Sequence, residues 1–595
     1  MFKLRSILAT DCGSTTTKAI LIEREDDRYR LTGRGEAPTT VEAPLNDVTL
    51  GVRHAIVELQ ELRGRPLISP DGALITPQDG PRGVDLYVTT SSAGGGLQML
   101  VAGVVRRMSA ESAERAALCA GAVVMETIAL DDGRRTDERI ERIRDLRPDI
   151  VLLTGGTDGG TIRHVARLAE TIAAARPRGR AGDSLRLPVV YAGNREARDI
   201  VMQRLGEKAD VSVVENLRPD LDYENPGPVR DRIHELFLGH VMAHAPGYPA
   251  LQRMAARPVM PTPAAVGRLI ESYAATRRLN VVGVDIGGAT TDVFSCVGGR
   301  FNRTVSANLG VSYSISTVLA TAGADNVIRW MPFDVDPRDL RDRIRNKMVR
   351  PTTIPETIDD LKLEHAVARE ALRLSFEQHR AFARDLAGAQ RERGIADALR
   401  QRGRETLDPL RIDLMIGSGG VLSHAPRRAQ AMMLMIDGLQ PAGVTRLVVD
   451  RVFMMPHLGV LAEVDIEAAM QVFEHDCLVP LGTVIAPVGR AARGTKLCRV
   501  EPLETEYGLS PVELSAGEFI RWVPGDGRTL RVRITPRRSV DVGAGWGRAV
   551  EVTIETGVVG VVLDGRGRPL DYHADSNASG RNELRRWLAA MEAYP

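Results

Sequence analysis

The chain has 595 residues, enough for several domains whose cores need no disulfide or metal to hold them. Its 78 basic and 77 acidic side chains leave a formal charge of +1, which gives no support to general binding of nucleic acid or of a membrane surface. The five cysteines (Cys12, Cys119, Cys296, Cys477 and Cys498) form no C-x-x-C pair, which argues against a zinc or iron–sulfur site built within one chain and suits a reducing compartment.

The N-terminal residues 1–6 run straight into an apolar strand, so no secretory leader is expected, and no apolar run reaches membrane-spanning length. The expected location is the cytoplasm. Residues 6–10 read as a strand, followed by Asp11-Cys12-Gly13-Ser14-Thr15-Thr16-Thr17-Lys18 and a second β-rich run at 19–22. Strand, glycine turn, strand is a hairpin, and its tip can bring N–H groups and hydroxyls against phosphate oxygens. A strand at 84–90 ends in Ser91-Ser92-Ala93-Gly94-Gly95-Gly96, and helical spacing follows over 97–108 and 111–125. Strands at 150–153, 188–191 and 211–214 enclose a helix at 162–175. This alternation predicts a largely parallel sheet covered by helices in a first domain of residues 1–250.

A second domain, residues 260–480, opens with a helix at 264–276 and a strand at 281–284. Then comes Asp285-Ile286-Gly287-Gly288-Ala289-Thr290-Thr291-Asp292, with Asp, Gly and a Thr-Thr pair at the offsets of the first hairpin. A strand at 301–307 turns at Gly310 into a helix, and a helical insertion with a solvated charged face occupies about 324–410. A strand near 412 leads into Gly417-Ser418-Gly419-Gly420. Aligning Thr154-Gly155-Gly156 with Ser418-Gly419-Gly420 pairs these turns at similar distances from the two hairpins, so the chain reads as two copies of one α/β unit. From 482 onward short β-rich runs separated by glycine turns predict a small β domain, 482–595, closed by a helix at 582–593.

The chemistry follows from these turns. Backbone amides at Gly13, Ser14, Gly287 and Gly288 can approach phosphates because glycine lets the main chain come close. Hydroxyls of Thr15, Thr16, Thr290 and Thr291 add donors, and Lys18 can neutralise phosphate charge. Asp11 and Asp285 can hold a magnesium ion through water. Asp292 reads as a further metal candidate or as a turn-stabilising carboxylate. The Gly417–Gly420 turn can lay a base and ribose against main chain, or is a plain strand-to-helix turn. His234, His240 and His244 share helical spacing but have no acidic partner, so they read as satisfied or solvated.

The ordered set Asp11–Lys18, Asp285–Asp292 and Gly417–Gly420 resembles the phosphate 1, phosphate 2 and adenosine motifs of the actin, sugar-kinase and Hsp70 superfamily. That resemblance implies two duplicated actin-like (ribonuclease H-like) α/β ATPase domains, with ATP and Mg2+ in the cleft between them. It also implies that residues 211–216 begin the first connecting segment, where Glu215 orients the attacking water, and that His457-Leu458-Gly459 begins the second. Together with Leu153-Thr154-Gly155-Gly156-Thr157-Asp158-Gly159-Gly160, the motifs resemble the MutL family associated with glutamate mutase, which is distinct from the mismatch-repair protein of the same short name. This implies an ATPase with Asp11, Asp285 and Glu215 as catalytic residues. Its task would be to reactivate an adenosylcobalamin-dependent mutase or aminomutase through contact with the mutase subunits. The chain carries no Asp-x-His-x-x-Gly cobalamin-ligand motif, so it is not itself expected to be the mutase. A small-molecule kinase and an ATP-binding scaffold without turnover stay open. The scattered cysteines argue against a third reading, an iron–sulfur activator of a dehydratase.

Overall fold

The structure, a computed structural model, describes residues 4–595 apart from 14–15, 42–43, 93–96, 180–185, 222, 238, 240–245, 307, 384–406, 505–508, 526, 571 and 573–577. His240 and His244 therefore lie outside the described residues. The chain forms two compact units: residues 1–272, 385–403 and 454–476, and residues 273–384, 404–453 and 477–595. No helix among the described residues is long and apolar enough to cross a membrane.

Unit 1 opens with β1 (Ser6–Cys12), β2 (Thr16–Glu25) and β3 (Arg28–Pro38), an antiparallel meander. β1 is buried along almost its whole length, as expected of a strand covered on both faces, whereas the edge strand β3 is polar and half-exposed. Helix α1 (Val48–Arg63) follows, capped by the Asp47 carboxylate on the Thr49 N–H and ended by left-handed Gly64. β4 (Leu86–Ser91) then pairs parallel with β1.

The chain next leaves this sheet to build a second one. It comprises β5 (Gln98–Gly103), α2 (Glu111–Cys119), β6 (Val123–Ala129), α3 (Thr136–Asp145), β7 (Ile150–Thr154), α4 (Ile162–Ala175), β8 (Pro188–Tyr191), α5 (Arg198–Leu205) and β9 (Asp210–Val213). All pairings are parallel and the order is β6-β5-β7-β8-β9. Side chains of α3, α4 and α5 form one apolar cluster against one face of the sheet. After α6 (Gly227–Leu236) and α7 (Tyr248–Met254), the two-residue β10 (Met260–Pro261) pairs parallel with β4, and α8 (Thr262–Arg277) leaves the sheet. The hairpin sheet is thus β10-β4-β1-β2-β3.

Unit 2 repeats that sheet. β11 (Val281–Ile286), β12 (Thr291–Val297) and β13 (Arg300–Ser306) form the meander. Helices α9 (Ile315–Ala322), α10 (Ala324–Ile328), α11 (Pro337–Val349) and α12 (Ile358–Phe382) come next. β14 (Leu414–Ser418) pairs parallel with β11, and after α13 (Gly420–Ser423) and α14 (Arg428–Leu439), β15 (Gly443–Asp450) pairs parallel with β14. The register repeats as well: Asp11 faces Lys18 on one side and Thr90 on the other, and Asp285 faces Asp292 and Ser418. Two α/β sheets of one topology, one per unit, are the fold.

This register changes one expected equivalence. The strand matching β14 is β4, not β7, so Thr154-Gly155-Gly156 is not the counterpart of Ser418-Gly419-Gly420. It belongs to the inserted parallel sheet. Residues 454–476, expected in the second domain, group with unit 1, where they form α15 (Met455–Leu461) and α16 (Ile466–Val472).

The insertion also differs from expectation, while the C-terminal region is β-rich as expected and joins unit 2. α12 is a core helix rather than a solvated one, with Ala366, Val367, Ala371 and Leu372 fully buried. Its buried Arg369 pairs with Asp437, which also holds Arg566. In the C-terminal region β16 (Leu478–Ala486), β19 (Phe519–Trp522) and β22 (Val561–Asp564) extend the unit 2 sheet to eight strands. β17 (Lys496–Pro502), β18 (Val512–Ser515), β20 (Thr529–Pro536) and β21 (Val550–Glu555) form a separate four-stranded sheet. Ile485, Val561 and Leu563 of the large sheet share one apolar cluster with Val500, Val532 and Ile554 of the small one. The β-rich region is therefore continuous with unit 2.

Candidate functional site

The two hairpin tips close in the same way. The Gly13 N–H donates to the Thr16 carbonyl at 3.1 Å, and the Gly287 N–H donates to the Thr290 carbonyl at 2.8 Å. A Cβ at Gly13 would stand 2.7 Å from the Thr16 oxygen, so the tight closure needs glycine there. Both amides are thereby committed to the turn and are not offered to a ligand. Ser14 and Thr15 lie outside the described residues.

Alternation along the strands then sorts the remaining side chains. Asp11, Thr16 and Lys18 are half-exposed on one side, while Cys12 and Thr17 point inward; Asp285, Thr290 and Asp292 repeat the half-exposed positions, and Ile286 and Thr291 the inward ones. Thr291 is fully buried and donates its hydroxyl to the Leu309 carbonyl at 2.7 Å. It braces the turn and is not a phosphate donor. Thr290 keeps its side chain on the open side.

The second turn is held from behind. The Gly287 carbonyl accepts from the Val311 N–H at 3.1 Å and the Gly288 carbonyl from the Ser312 N–H at 2.9 Å. Because a trans peptide points its N–H opposite its C=O, the Gly288 and Ala289 N–H groups are aimed away from this brace. A Cβ on Gly310 would overlap Gly288 and Ala289 backbone, so the brace sits directly against the turn. Two consecutive N–H groups and a half-exposed threonine hydroxyl are thus donors at this turn. In the first turn a side chain replaces the backbone brace: Thr39 Oγ1 donates to the Gly13 carbonyl at 2.8 Å and lies 3.0 Å from Thr17 Oγ1.

Asp11 is anchored by hydroxyls from two other elements. Thr90 Oγ1 on β4 donates to it at 2.8 Å, and Thr262 Oγ1, at the start of α8, donates to the same oxygen at 2.6 Å. His457 on α15 is fully buried, with Nε2 3.4 Å from the Lys18 carbonyl and Nδ1 without a hydrogen-bond partner. Burial pushes its pKa down to about 4 against the attraction of Asp11. Sequence reasoning missed Thr90 and Thr262, and read Gly310 only as a turn. The register match of β4 to β14 was the signal that would have singled out Thr90.

The unit 2 carboxylates differ. Asp285 lies between Asp292 and Ser418 across the sheet. Asp292 accepts from both Nε and Nη2 of Arg303, at 3.0 and 2.7 Å, and that arginine is 2% exposed and stacks on Phe294. The geometry favours the turn-stabilising role of Asp292 over a metal role. Of the Gly417–Gly420 turn, Gly419 has φ +101° and a Cβ there would overlap the Ile286 carbonyl, which locks the turn onto the end of β11. A Cβ on Gly417 would meet Met435 Sδ at 2.8 Å, so Gly417 serves core packing. Ser418 is 2% exposed, and Gly420 has open space beside it.

Glu215 is placed elsewhere. It follows β9 at the edge of the inserted sheet, where it is exposed and accepts from Asn225 Nδ2 at 2.8 Å. The segment that leaves the hairpin sheet of unit 1 is α8, whereas residues 211–216 belong to and follow β9 of the inserted sheet. His234, on α6, is half-buried and burial pushes its pKa down. Among the described residues no three His, Cys, Asp or Glu side chains converge as a metal cage.

The profile of the MutL protein family matches residues 7–477. Protein MutL of Clostridium tetanomorphum is 28% identical over 486 residues, covering 77% of this chain and 96% of that protein. Among solved structures, nucleotide-free acetone carboxylase aligns over 87% of this chain and 81% of its own, at 13% identity and a TM-score of 0.32. Component A of (R)-2-hydroxyglutaryl-CoA dehydratase from Acidaminococcus fermentans aligns over 79% of this chain and 98% of its own, at 10% identity and a TM-score of 0.26. The sequence match, which runs from the first hairpin strand to the end of the segment that rejoins unit 1, carries the assignment: the chain belongs to the MutL protein family.

Proposed function

We propose that this protein binds and hydrolyses ATP and works as an accessory, reactivating chaperone of an adenosylcobalamin-dependent mutase or aminomutase such as glutamate mutase, without performing the rearrangement itself. The observation that carries the nucleotide part is the repeated turn: Asp11 and Asp285 at the same register, each beside a glycine-closed tip with an outward threonine. In this reading the Gly288 and Ala289 amides and the Thr290 hydroxyl bind phosphate oxygens, Thr16 and Lys18 do so at the first turn, and the Ser418–Gly420 turn lies against the nucleoside. Asp11, fixed by Thr90 and Thr262, and Asp285 hold magnesium through water. Magnesium bound there supplies neutralisation of phosphate charge. The link to a mutase rests on family membership, and the client is the subunit set of such an enzyme.

The test is calorimetry of the full chain with ATP and Mg2+, followed by phosphate release with and without a mutase inactivated by damaged cobalamin. Micromolar ATP binding, slow release of phosphate to water and recovery of mutase activity are expected. Absence of ATP binding removes the whole reading. ATP binding with phosphate delivered to a metabolite rather than to water would replace it with the kinase reading, and binding without turnover with the scaffold reading.

A further inference from the structure

The inserted parallel sheet carries a cavity of its own, separate in sequence and in sheet from the hairpin turns. Numbered within the insertion, the order β6-β5-β7-β8-β9 is 2-1-3-4-5, a doubly wound arrangement of parallel strands in which the direction of strand addition reverses between β5 and β7. Open α/β sheets of this kind bind ligands outside the carboxyl ends of the strands, at that reversal. A cavity of about 230 Å³ lies there. Its walls come from the segments after β5 (Val104, Met108), after β7 (Gly155, Gly156, Thr157) and after β9 (Leu217, Arg218), and from the start of α4 (Thr161, His164).

The lining sets the class of ligand. Val104, Val105, Met108, Leu217 and Leu221 supply an apolar wall. His164 and Arg218 are the basic side chains of the lining, and no carboxylate is among its described residues. Arg218 is itself positioned by Ser112 Oγ at 3.3 Å and Glu224 at 3.5 Å. Asp158, next to the turn, accepts from Arg195 N–H at 3.0 Å and from Asn216 Nδ2 of the lining at 2.9 Å.

The turn after β7 is built for close approach. Gly155 (φ +139°) has no room for a Cβ because Val104 presses on it, and Gly156 has φ +75°. The Gly155 carbonyl accepts from the Asn194 N–H and the Gly156 carbonyl from Asn216 Nδ2, each at 3.0 Å. Trans peptide geometry therefore aims the Gly156 and Thr157 N–H groups to the opposite side. Thr161, the N-cap of the 14-residue α4, makes no side-chain cap bond. The cavity thus combines an apolar wall, two basic side chains, of which Arg218 is paired with Glu224, and the turn amides, with no carboxylate among its described lining residues.

We propose that this cavity binds a small phosphate monoester, with the phosphate at the Gly155–Thr157 turn and the organic body against Val104, Met108 and Leu217. At about 30 Å³ per water the space equals about eight waters, which suits a body of one ring rather than a dinucleotide. The inference is independent of the ATP reading, because none of its residues belongs to the hairpin sheets.

The test uses the full chain and phenyl phosphate as probe, with inorganic phosphate and phenol in parallel, each titrated by calorimetry with and without saturating ATP and Mg2+. Phenyl phosphate is expected to bind at least ten times more tightly than either fragment, and equally with and without ATP. Thr161→Trp, at an exposed position on the cavity rim, and His164→Ala, also exposed, are each expected to weaken it at least tenfold and fivefold respectively while leaving ATP affinity unchanged. Competition by ATP would place the probe in the hairpin turns and overturn the proposal. So would inorganic phosphate or phenol binding as well as phenyl phosphate, indifference of the probe to both substitutions, or no binding of the probe at millimolar concentration.

Discussion

Gly459 on α15 lies directly against the backbone of Ala265 on α8: a Cβ at Gly459 would overlap the Ala265 carbonyl. The two helices come from distant parts of the chain and cross at main-chain contact. The crossing serves the Asp11 corner, because Thr262 lies one turn before Ala265 and His457 two residues before Gly459. Gly459→Ala is expected to lower unfolding free energy by at least about 2 kcal/mol, since the obstacle is backbone and cannot rotate away. ATP affinity should fall with it as Thr262 and His457 shift. Urea unfolding and calorimetry check both, and a stable variant with normal ATP binding would count against the crossing as described.

The two threonines of the second turn separate binding from folding. Thr291→Val keeps the shape but leaves the buried Leu309 carbonyl without its donor, so a loss of about 1–3 kcal/mol is expected with little change in ATP affinity per folded molecule. Thr290→Val should do the reverse: unchanged stability and ATP binding weakened roughly tenfold, as one hydrogen bond to a charged group is worth about 1.5–3 kcal/mol. If the two variants exchange phenotypes, the inward and outward assignment of these residues is wrong.

The hairpins were legible from sequence because their function depends on local spacing: Asp, Gly and Thr-Thr recur within one turn, where pleat alternation fixes which residues face out. The place of β4 in the hairpin sheet was not. Leu86–Ser91 and Ile150–Thr154 are both short apolar strands ending in a hydroxyl residue and a small-residue turn, and only pairing with β1 tells them apart. β10, which marks the return from the inserted sheet, is two residues long and has no period to detect. Glu215 follows β9 of the inserted sheet, and the helix that leaves the hairpin sheet starts more than forty residues later, at Thr262. α12 was read as solvated from its charges. Its Arg369 and Glu370 are buried because Asp437 and Arg329 neutralise them within the core, a pairing no local pattern reveals.

Arg303 and Asp292 give a test of the magnesium assignment. With Arg303 2% exposed, Arg303→Met leaves Asp292 charged without its partner, and a loss of about 3 kcal/mol is expected. Asp292→Asn should likewise destabilise, by removing the charge that pairs with the buried guanidinium. In neither case should the magnesium concentration for half-maximal ATP binding move by more than twofold, whereas Asp285→Asn should raise it at least tenfold. A large magnesium effect at position 292 with normal stability would return Asp292 to the metal site.

Three buried histidines make the fold acid-sensitive above the range where carboxylates protonate. Burial pushes His379 down to about 3 between the neutral hydroxyls of Thr304 and Ser295. It pushes His365 down to about 3 beside Tyr594, with Arg369 adding repulsion. His457 is held at about 4, where burial outweighs the attraction of Asp11 and is aided by Lys18 and Arg34. Each folded pKa lies below the unfolded value, so the unfolded chain binds the extra proton first. The histidine contribution is complete above pH 6.5 and is lost as pH falls towards 4 for His457 and towards 3 for the other two. Each group gives a slope of about 1.4 kcal/mol per pH unit once its unfolded form is protonated, so the three together approach about 4 kcal/mol per unit near pH 5. Urea titrations at pH 7.5, 6.5, 5.5 and 5.0 should therefore show a midpoint that is flat at first and then drops steeply. His365→Gln, which removes one titrating group, should take about a third of that slope away whatever it does to stability at pH 7.5. A midpoint that stays level down to pH 5 in the unmodified chain would mean that these rings can accept protons in place, and that the packing around them is looser than described.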